Sequence, residues 1–280
     1  MLIDENTQKK LRERYNPDGS DLRSLQLQLL DILVEFDRIC RKNDITYWLE
    51  YGTLIGAARH GGFIPWDDDM DVSILYKDRK KLAMAMKKDL SPEFRYVDAN
   101  TRKGTARCWA RIVKNGVSAV RMVENPNGKG GFVKKEENIW LDVFFLINGT
   151  TRLSKRVDSI YGRCFRRKYE VISDGWFKHL TGVVLYPFSK LIVYSAMAYG
   201  RLFHPKTLIN SYGTNFYSQR PVQVIIPTKD IEFEGHLFKA PNDIERYLPN
   251  VYSNWKGIPD KKEDHRILEI KYNDCYKTQE

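Results

Sequence analysis

The 280-residue sequence has few of the features that assign a chain to a common class. Its four cysteines are scattered and include no C-x-x-C pair, which argues against a zinc ribbon or a disulfide framework and fits reduced thiols. No run of about twenty uncharged apolar residues is present, so a membrane-spanning helix is not expected. The charged N-terminal segment MLIDENTQKKLRERYN differs from a signal peptide. These absences predict a globular, cytoplasmic protein.

Acidic residues are outnumbered in this chain, which carries 46 Lys and Arg against 36 Asp and Glu and a net charge of +10. That charge fits nucleic acid, a phosphorylated substrate or an anionic membrane surface as a partner, and composition does not choose among them. The sequence contains no RNA- or DNA-recognition motif, so nucleic acid is not expected as a partner.

The most unusual stretch is FIPWDDDMDV, where Asp67, Asp68, Asp69 and Asp71 fall within five positions between apolar flanks. Carboxylates this close repel one another unless water or a cation takes up the charge. Because alternate residues of a strand share one face, Asp67, Asp69 and Asp71 are predicted to form a seat for Mg²⁺ (or Mn²⁺). A solvated acidic turn is the alternative. An EF-hand loop is excluded, since Val72 stands where that loop requires Gly.

A second anomaly is Asp142, which lies inside the apolar stretch NIWLDVFFLI. A single carboxylate in a buried strand costs several kcal/mol, roughly, unless it is paired or bound to a metal. Asp142 is therefore either one half of an internal salt bridge or a third acid of the same site, contributed by a neighbouring strand.

Periodicity and composition predict an α+β fold in which helices flank a mixed sheet. The predicted strands are 45–52, 69–76, 94–98, 106–114, 117–123 and 139–147, and the predicted helices are 21–42, a short one after Gly52 and 78–90. Gly61 and Gly62 are expected to end the short helix, and the Gly/Asn-rich residues 125–131 are expected to form a loop.

The composition changes after about residue 150, which predicts a catalytic core at 1–150 and a basic helical region with a C-terminal α+β segment at 151–280. Residues 152–190 hold nine Lys or Arg against three acids. The following apolar stretch, 180–203, is expected to be broken by Pro187 and Lys190 before it could span a membrane. An interfacial helix pair on an anionic membrane and ordinary packing against the sheet are both open readings.

At this point the residues support a resemblance. YWLEYGTLIGAARHGGFIPWDDDMDV resembles the signature of the LicD/fukutin family, a branch of the nucleotidyltransferase superfold. Gly52-Thr53, Asp69-x-Asp71 and Asp142 follow in the order of that superfold's Gly-Ser, Asp-x-Asp and third acid. The tail FEGHLFKAPNDIERYLPNVYSNWKGIPDKKEDH also resembles the family's, although Ser253-Asn254 replaces its usual Gly-Asp.

The resemblance implies a metal-dependent transferase that moves phosphocholine, or a similar phospho-alcohol, from a CDP-alcohol such as CDP-choline. The acceptor is then a hydroxyl of a cell-surface glycan or lipid-linked glycan. Asp69, Asp71 and Asp142 are the expected catalytic acids and, with Asp67, the metal ligands. The expected donor-binding or other site residues are Gly52, Thr53, Arg59, His60, Arg111, Lys114 and His265.

Several of these residues have a structural alternative. His60 could cap the short helix, Arg111 and Lys114 could lie on a solvated strand edge, and His265 could be a surface residue. Two other functions also stay open: a nucleotidyltransferase acting on a small molecule, and a non-catalytic polyanion binder. Replacing Asp69 and Asp71 separates the last from the enzymes, because losing acids should not weaken polyanion binding.

Overall fold

The computed structural model describes residues 3–98, 108–124, 131–169, 176–259 and 267–272. Three sequence predictions fall outside these ranges: most of the loop at 125–131, the thiol of Cys275 and the role of His265. Where the structure describes them, Cys40, Cys108 and Cys164 are free thiols, as predicted.

The described residues form seven α-helices and ten strands. The helices are α1 (Glu5–Tyr15), α2 (Asp21–Lys42), α3 (Tyr51–His60), α4 (Arg79–Asp89), α5 (Thr151–Tyr169), α6 (Trp176–Phe203) and α7 (Ile244–Tyr247). The strands are β1 (Tyr47–Leu49), β2 (Asp71–Leu75), β3 (Phe94–Val97), β4 (Ala110–Glu124), β5 (Phe132–Asn148), β6 (Thr207–Asn210), β7 (Gln219–Pro221), β8 (Lys229–Phe233), β9 (His236–Ala240) and β10 (Ile267–Tyr272).

Eight of the strands form one mixed sheet, which confirms the predicted α+β class. Its main path runs β1-β2-β5-β4-β10, with β2 and β5 parallel and the other neighbours on this path antiparallel. Strand β3 pairs with β4, β6 adds to β5 and β7 adds to β6. The sheet therefore draws strands from both sides of residue 150, and the division at that residue stays a prediction.

The core lies between the sheet and α2, whose predicted span of 21–42 is confirmed. Leu25, Leu29, Leu33 and Phe36 recur at three- and four-residue spacing and are fully or almost fully buried. Each such side chain stabilises the fold by about 1.5–3 kcal/mol. Ser20 caps the helix by accepting a hydrogen bond from the backbone N–H of Arg23. This helix fixes the sheet that supports the acidic segment.

The predicted strand at 45–52 is shorter than expected, because β1 ends at Leu49 and Gly52 already belongs to α3. Glu50 is the N-cap of α3, and Tyr51 takes a positive φ of 45° that breaks the extended backbone. Helix α3 ends as predicted at Gly61, which adopts the left-handed conformation at φ 69°.

Two predicted strands, 106–114 and 117–123, are one strand in the structure as far as it describes them. The ladder between β4 and β5 shifts register between Val113 and Ser118. Gly116 takes φ 72° there, so the chain bulges and continues instead of ending. In a sequence, the alternation of apolar and polar residues is interrupted in the same way by a bulge as by a turn, so the two could not be told apart.

The basic and apolar stretches after residue 150 form a hairpin of α5 and α6. Helix α6 runs unbroken through Pro187, so the predicted interruption at Pro187 and Lys190 is wrong. A proline removes one backbone hydrogen bond, and the remaining 27 residues of a long helix can sustain the rest. In the described part of the chain, the segment His179–Phe203 of α6 is long and apolar enough to cross a membrane by length and composition alone.

Candidate active site

A cleft of about 520 Å³ opens where the acidic segment meets α3 and the C-terminal tail. Its lining residues come from three parts of the chain: Gly52, Ile55 and Arg59 of α3; Ile64, Trp66, Asp67, Asp69 and Asp71 of the acidic segment; and Tyr252, Asn254, Trp255, Gly257 and Pro259 of the tail. Carboxylates from one short segment therefore face a polar and aromatic wall that arrives from nearly two hundred residues away.

Three of the four clustered aspartates line the cleft together, as predicted, but not for the predicted reason. Only Asp71 lies in a strand, while Asp67 and Asp69 belong to the irregular segment that leads into β2. Burial first, and then the carboxylates of Asp69 and Asp68, raise the pKa of Asp67. The pKa of Asp71 is raised by burial and then by Asp69 and Asp142. The cleft concentrates negative charge in a poorly hydrated place.

The fourth aspartate, Asp68, turns away from the cleft. It is buried and forms an ion pair with Arg121 of β4, whose Nη2 also donates to the Asp68 carbonyl oxygen at 3.2 Å. Among the described residues, neither Asp67 nor Asp71 forms such an ion pair, although the charge of Arg59 acts on Asp67. Asp68 is thus compensated by Arg121, whereas Asp67 and Asp71 line the cleft.

Gly52 and Thr53, predicted to contact the donor, lie against the aspartates, and of the two only Gly52 lines the cleft. The Thr53 hydroxyl accepts a hydrogen bond of 2.8 Å from the backbone N–H of Asp71. A Cβ at position 52 would meet Asp67 Oδ2 at 2.7 Å, which is closer than real contacts allow. Glycine therefore lets the Asp67 carboxylate rest against the first turn of α3, near the helix N-terminus that favours negative charge.

The turn before the aspartates is anchored by a residue that the sequence did not single out. Gln26 of α2 donates through Nε2 to the carbonyl oxygen of Asp67 at 2.9 Å, and Asn16 Nδ2 donates to Gln26 Oε1 at 2.7 Å. Gln26 is fully buried among apolar neighbours on the same face of α2, although its side chain is polar. A polar residue on that apolar face is the one sequence signal that could have identified it.

Asp142 forms an internal salt bridge, one of the two readings left open by the sequence, and its role as a third acid of the site stays a prediction. It pairs in register with Asp71 across the parallel strands β5 and β2, so the two side chains share one face. It also accepts a hydrogen bond of 2.6 Å from Arg111 Nε, and the indole N–H groups of Trp109 and Trp140 donate to it at 2.7 and 3.1 Å. Asp142 is therefore a neighbour of the cleft whose own charge is already compensated.

The predicted phosphate-binding cations lie in three different environments. Arg59 lines the cleft but donates through Nη1 to the carbonyl oxygens of Trp255 and Gly257, at 3.0 and 2.6 Å. Arg111 is engaged by Asp142, and its guanidinium lies 3.7 Å from the centre of the Trp140 ring. Lys114 pairs with Asp31 of α2 at 2.6 Å and is not among the cleft-lining residues.

His60 lies inside the protein and not in the cleft. Its Nε2 accepts from Arg59 Nε at 2.9 Å, and its Nδ1 lies 2.6 Å from Gln8 Oε1, which fits a neutral ring that donates to Gln8. Burial, and then the charge of Arg59, lower the pKa of His60 to about 3. The ring of His60 therefore contacts Arg59 and Gln8, and the structure shows neither the predicted donor contact nor the helix cap that was its alternative.

A second cluster of buried polar groups lies directly behind β2. The Glu50 carboxylate is fully buried and accepts hydrogen bonds from five donors. These donors are Trp48 Nε1 at 3.1 Å, Ser73 Oγ at 2.7 Å, Tyr247 OH at 2.6 Å, Arg220 Nη2 at 3.2 Å and the Tyr51 N–H at 3.4 Å. Sequence reasoning missed this cluster, because Arg220 and Tyr247 lie far along the chain.

The tail contributes Tyr252, whose ring faces the three cleft aspartates. Partial burial, and then the carboxylates of Asp71, Asp69 and Asp67, raise its pKa, so the phenol keeps its proton at neutral pH. Trp255 is buried and closes the cleft beside Arg59. Between them lies the Ser253-Asn254 pair that departs from the usual family pattern, and Asn254 also lines the cleft.

The comparison with known proteins matches a part of the chain that includes the acidic segment. The family model LicD/FKTN/FKRP, nucleotidyltransferase domain, matches residues 44–125. The lipopolysaccharide cholinephosphotransferase LicD of Haemophilus influenzae is 23% identical over 265 residues, which cover 89% of this chain and 97% of that protein. The ribitol 5-phosphate transferase FKRP of Homo sapiens is 59% identical over 34 residues, 12% of this chain and 7% of that protein.

A match along nearly the full length of one transferase and a short, close match to another make this protein a phosphotransferase. The family model covers the acidic segment that lines the cleft, so the resemblance to the LicD/fukutin family that the sequence implied is confirmed over residues 44–125.

Proposed function

We propose that the protein transfers a phospho-alcohol, with phosphocholine as the first candidate, from a CDP-alcohol to a hydroxyl of a glycan or lipid-linked glycan. The observation that carries this proposal is the placement of Asp67, Asp69 and Asp71 in one cleft, where neither Asp67 nor Asp71 forms an ion pair with a described Lys or Arg. The names of the two relatives, a cholinephosphotransferase and a ribitol 5-phosphate transferase, support the class of transferred group.

The cleft chemistry suits Mg²⁺ or Mn²⁺. All three acidic side chains offer carboxylate oxygens, which hard divalent cations prefer. Among the described residues, no group of three or more His, Cys, Asp or Glu side chains is spaced to hold a metal unaided. Mg²⁺ commonly binds one or two carboxylates and completes its coordination shell with waters and substrate phosphates. A site that binds Mg²⁺ together with the donor therefore needs only a few protein ligands. When bound, the ion neutralises the charge of the donor pyrophosphate.

In the proposed reaction the acceptor hydroxyl attacks the phosphorus that bears the alcohol. A new P–O bond forms, the pyrophosphate linkage breaks, CMP leaves and the hydroxyl proton passes to a base. Asp67 and Asp71 would hold the cation that neutralises the donor, while Gly52 and Thr53 keep both acids in position. Such pre-set geometry supplies much of the rate enhancement in phosphoryl transfer.

Arg59 and Asp142 are assigned positioning roles. Arg59 ties the tail to α3 through two carbonyl oxygens, so the wall that carries Tyr252 closes over the aspartates. Asp142 is held by Arg111, Trp109 and Trp140, which suits a group that keeps β5 aligned beside Asp71 more than a group that takes a proton. The free thiols fit a reducing compartment, and we propose that the protein works in the cytoplasm.

Product analysis tests the proposal. The purified protein is incubated with Mg²⁺ or Mn²⁺, a CDP-alcohol from a panel that includes CDP-choline, and candidate glycans, and the released nucleotide is identified by mass spectrometry. Release of CMP with a phospho-alcohol on the acceptor is the expected result. Transfer of CMP itself, with free phosphocholine released, would establish the nucleotidyltransferase alternative instead.

A pair of matched variants ties that activity to the cleft. Asp71→Asn should abolish CMP release, whereas Asp18→Asn, at an exposed acid outside the cleft, should leave it unchanged. If neither variant changes turnover, the acidic cleft is not the active site. If the wild type has no activity but binds polyanions, and Asp69→Asn/Asp71→Asn binds them as well or better, the non-catalytic alternative holds.

A further inference from the structure

Helix α6 packs through one narrow stripe of its surface. Its buried residues lie three, four or seven positions apart, which places them on one face of the helix: Gly182, Tyr186, Ser189, Ala196 and Gly200. Several are small because the neighbours approach closely. A Cβ at Gly182 would meet the Cβ of Arg167 on α5 at 2.6 Å, and one at Gly200 would meet the carbonyl oxygen of Asn148 at 2.1 Å. This stripe joins α6 to α5 and to the end of β5.

The rest of α6 is apolar and exposed. Its large exposed side chains run along the whole helix: Trp176, Phe177, Leu180, Val183, Val184, Leu185, Phe188, Leu191, Ile192, Tyr194, Tyr199, Leu202 and Phe203. Phe188, Leu191 and Leu202 are 62%, 63% and 73% exposed, and only 22% of the apolar window is buried. Between residues 179 and 200 the single charged residue is Lys190. A helix that is apolar all round belongs in a protein core or in lipid.

We propose that this outer face of α6 embeds in the surface of an anionic lipid bilayer. The partner helix supplies the charge complementarity, because α5 carries Arg152, Lys155, Arg156, Arg163, Arg166, Arg167 and Lys168. Its one acid, Asp158, is buried and accepts from the backbone N–H groups of Gly213 and Asn215. Anionic headgroups attract such a helix, whereas a second copy of the chain would bring an equally basic α5 towards it.

The same features orient the hairpin along the membrane surface and not across it. Carrying the seven cations of α5 into the hydrocarbon layer would be costly, and α6 is packed against α5. Both ends of the hairpin also return to the sheet, since Asn148 of β5 pairs with Leu208 of β6. Trp176 and Phe177 at one end of α6, and Tyr199 and Phe203 at the other, are of the kind that favours the membrane interface.

This orientation connects the membrane to the cleft region. Lys190, Val193 and Met197 of α6 line a cavity of about 330 Å³ that reaches Trp109. The Trp109 indole donates to Asp142, the in-register neighbour of Asp71. A lipid-linked acceptor would therefore reach the protein on the side of the catalytic aspartates. This last link rests on the proposed function, whereas the membrane contact itself does not.

Vesicle flotation with the full chain tests the inference. The protein is mixed with vesicles of phosphatidylcholine alone or with phosphatidylglycerol added, at low and high salt. We expect flotation with the anionic vesicles and a smaller floating fraction at high salt. Phe188→Glu/Leu191→Glu places two charges on the outer face and should lower binding at least about tenfold. Leu27→Glu/Met84→Glu, at exposed sites on α2 and α4, is the matched control and should bind as the wild type does.

The contrary outcomes are distinct. Wild-type protein that stays with the soluble fraction at low salt overturns the inference. If Phe188→Glu/Leu191→Glu instead converts an oligomer to a monomer in light scattering and leaves flotation unchanged, the face belongs to a second copy. Circular dichroism shows that each variant is folded. Flotation needs neither donor nor acceptor, so a membrane-bound but inactive protein would contradict the proposed function alone.

Discussion

Two groups of acidic side chains lie close enough in space for the charge of Glu50 to act on Asp71, and they differ in how their charge is balanced. Behind β2, Glu50 is fully buried and is met by Arg220, Tyr247, Trp48 and Ser73. In front of it, Asp67 and Asp71 crowd into the cleft, where other carboxylates are the charges that raise their pKa most after burial. The protein completes the first cluster by itself and leaves the second incomplete.

This difference distinguishes the Glu50 cluster, which is structural, from the cleft aspartates, which form the candidate site. A buried carboxylate whose hydrogen-bond positions are filled by its own chain holds secondary structure together, and needs no further partner. Carboxylates that repel one another cost free energy in the folded protein, and that cost is recovered only when a cation binds. Asp68 and Asp142, paired with Arg121 and Arg111, resemble Glu50 in this respect.

The largest expected effect is on turnover. Asp71→Asn removes a charged ligand from the cleft and should lower CMP release at least about 100-fold, because charge stabilisation is the main contribution to such reactions. The free energy of unfolding should stay the same or rise, since repulsion is relieved. The measurement is CMP release together with urea unfolding. If the variant loses stability and keeps its turnover, Asp71 has a structural role and not a catalytic one.

The next largest effect is on stability. Glu50→Ala leaves Arg220 buried without its carboxylate and should lower the free energy of unfolding by about 3–5 kcal/mol. The control is Glu245→Ala, which breaks the exposed pair with Lys256 and should cost less than about 1 kcal/mol. Urea unfolding of both variants tests the comparison. Equal losses would show that the Glu50 cluster is not a structural anchor.

His60 is a buried group of a third kind, because it is held neutral. Its pKa is about 3 in the folded protein against 6.5 when unfolded, so the unfolded chain binds a proton first as the pH falls. Stability should therefore decline below pH 6.5, by about 1.4 kcal/mol per unit at most. Arg59, whose Nε donates to the ring, opposes protonation throughout this range.

His60→Gln should remove that part of the pH dependence. The check is a comparison of urea unfolding for the wild type and the variant at pH 7 and pH 5. The difference in the free energy of unfolding between pH 7 and pH 5 should be smaller for the variant than for the wild type. An unchanged difference would mean that His60 gains a proton in the folded state at no cost in stability.

The smallest effect is expected at the contact between α3 and the cleft. Gly52→Ala places a Cβ against Asp67 Oδ2 and should cost about 1–3 kcal/mol of stability while displacing that carboxylate. Turnover should fall because the metal-binding geometry changes. Gly131→Ala is a control for space, since nothing lies within 4 Å of its added Cβ, although its φ of 86° adds strain. If Gly52→Ala is as active as the wild type, Asp67 does not need that position.

Features set by neighbouring residues could be predicted from the sequence. The periodic apolar face of α2, the Gly61 terminus of α3 and the grouping of Asp67, Asp69 and Asp71 all follow from local spacing. The strand argument for the aspartates was wrong in detail, because the Gln26 anchor gives Asp67 and Asp69 an irregular backbone. The grouping was still right, since residues so close in sequence can share one cleft without a strand.

Long-range pairing could not be predicted. Glu50 and Arg220 are separated by 170 positions, and Asp68 and Arg121 by 53, and nothing in either local sequence identifies the partner. For the same reason Arg111 and Lys114 were predicted to bind phosphate, whereas each meets an acid of its own chain. The interruption predicted at Pro187 was wrong for a different reason. A long helix that packs along one stripe continues past a single proline.

The most direct test of the incomplete cluster is thermal unfolding of wild-type protein and Asp71→Asn with and without MgCl₂ or MnCl₂. The wild type should gain about 2–3 kcal/mol at a metal concentration near a hundred times the dissociation constant. Asp71→Asn should start at a melting temperature equal to or above that of the metal-free wild type and should not respond to the metal. If the wild-type melting temperature does not change with either cation, or if Asp71→Asn gains as much as the wild type, the cleft is not a cation site.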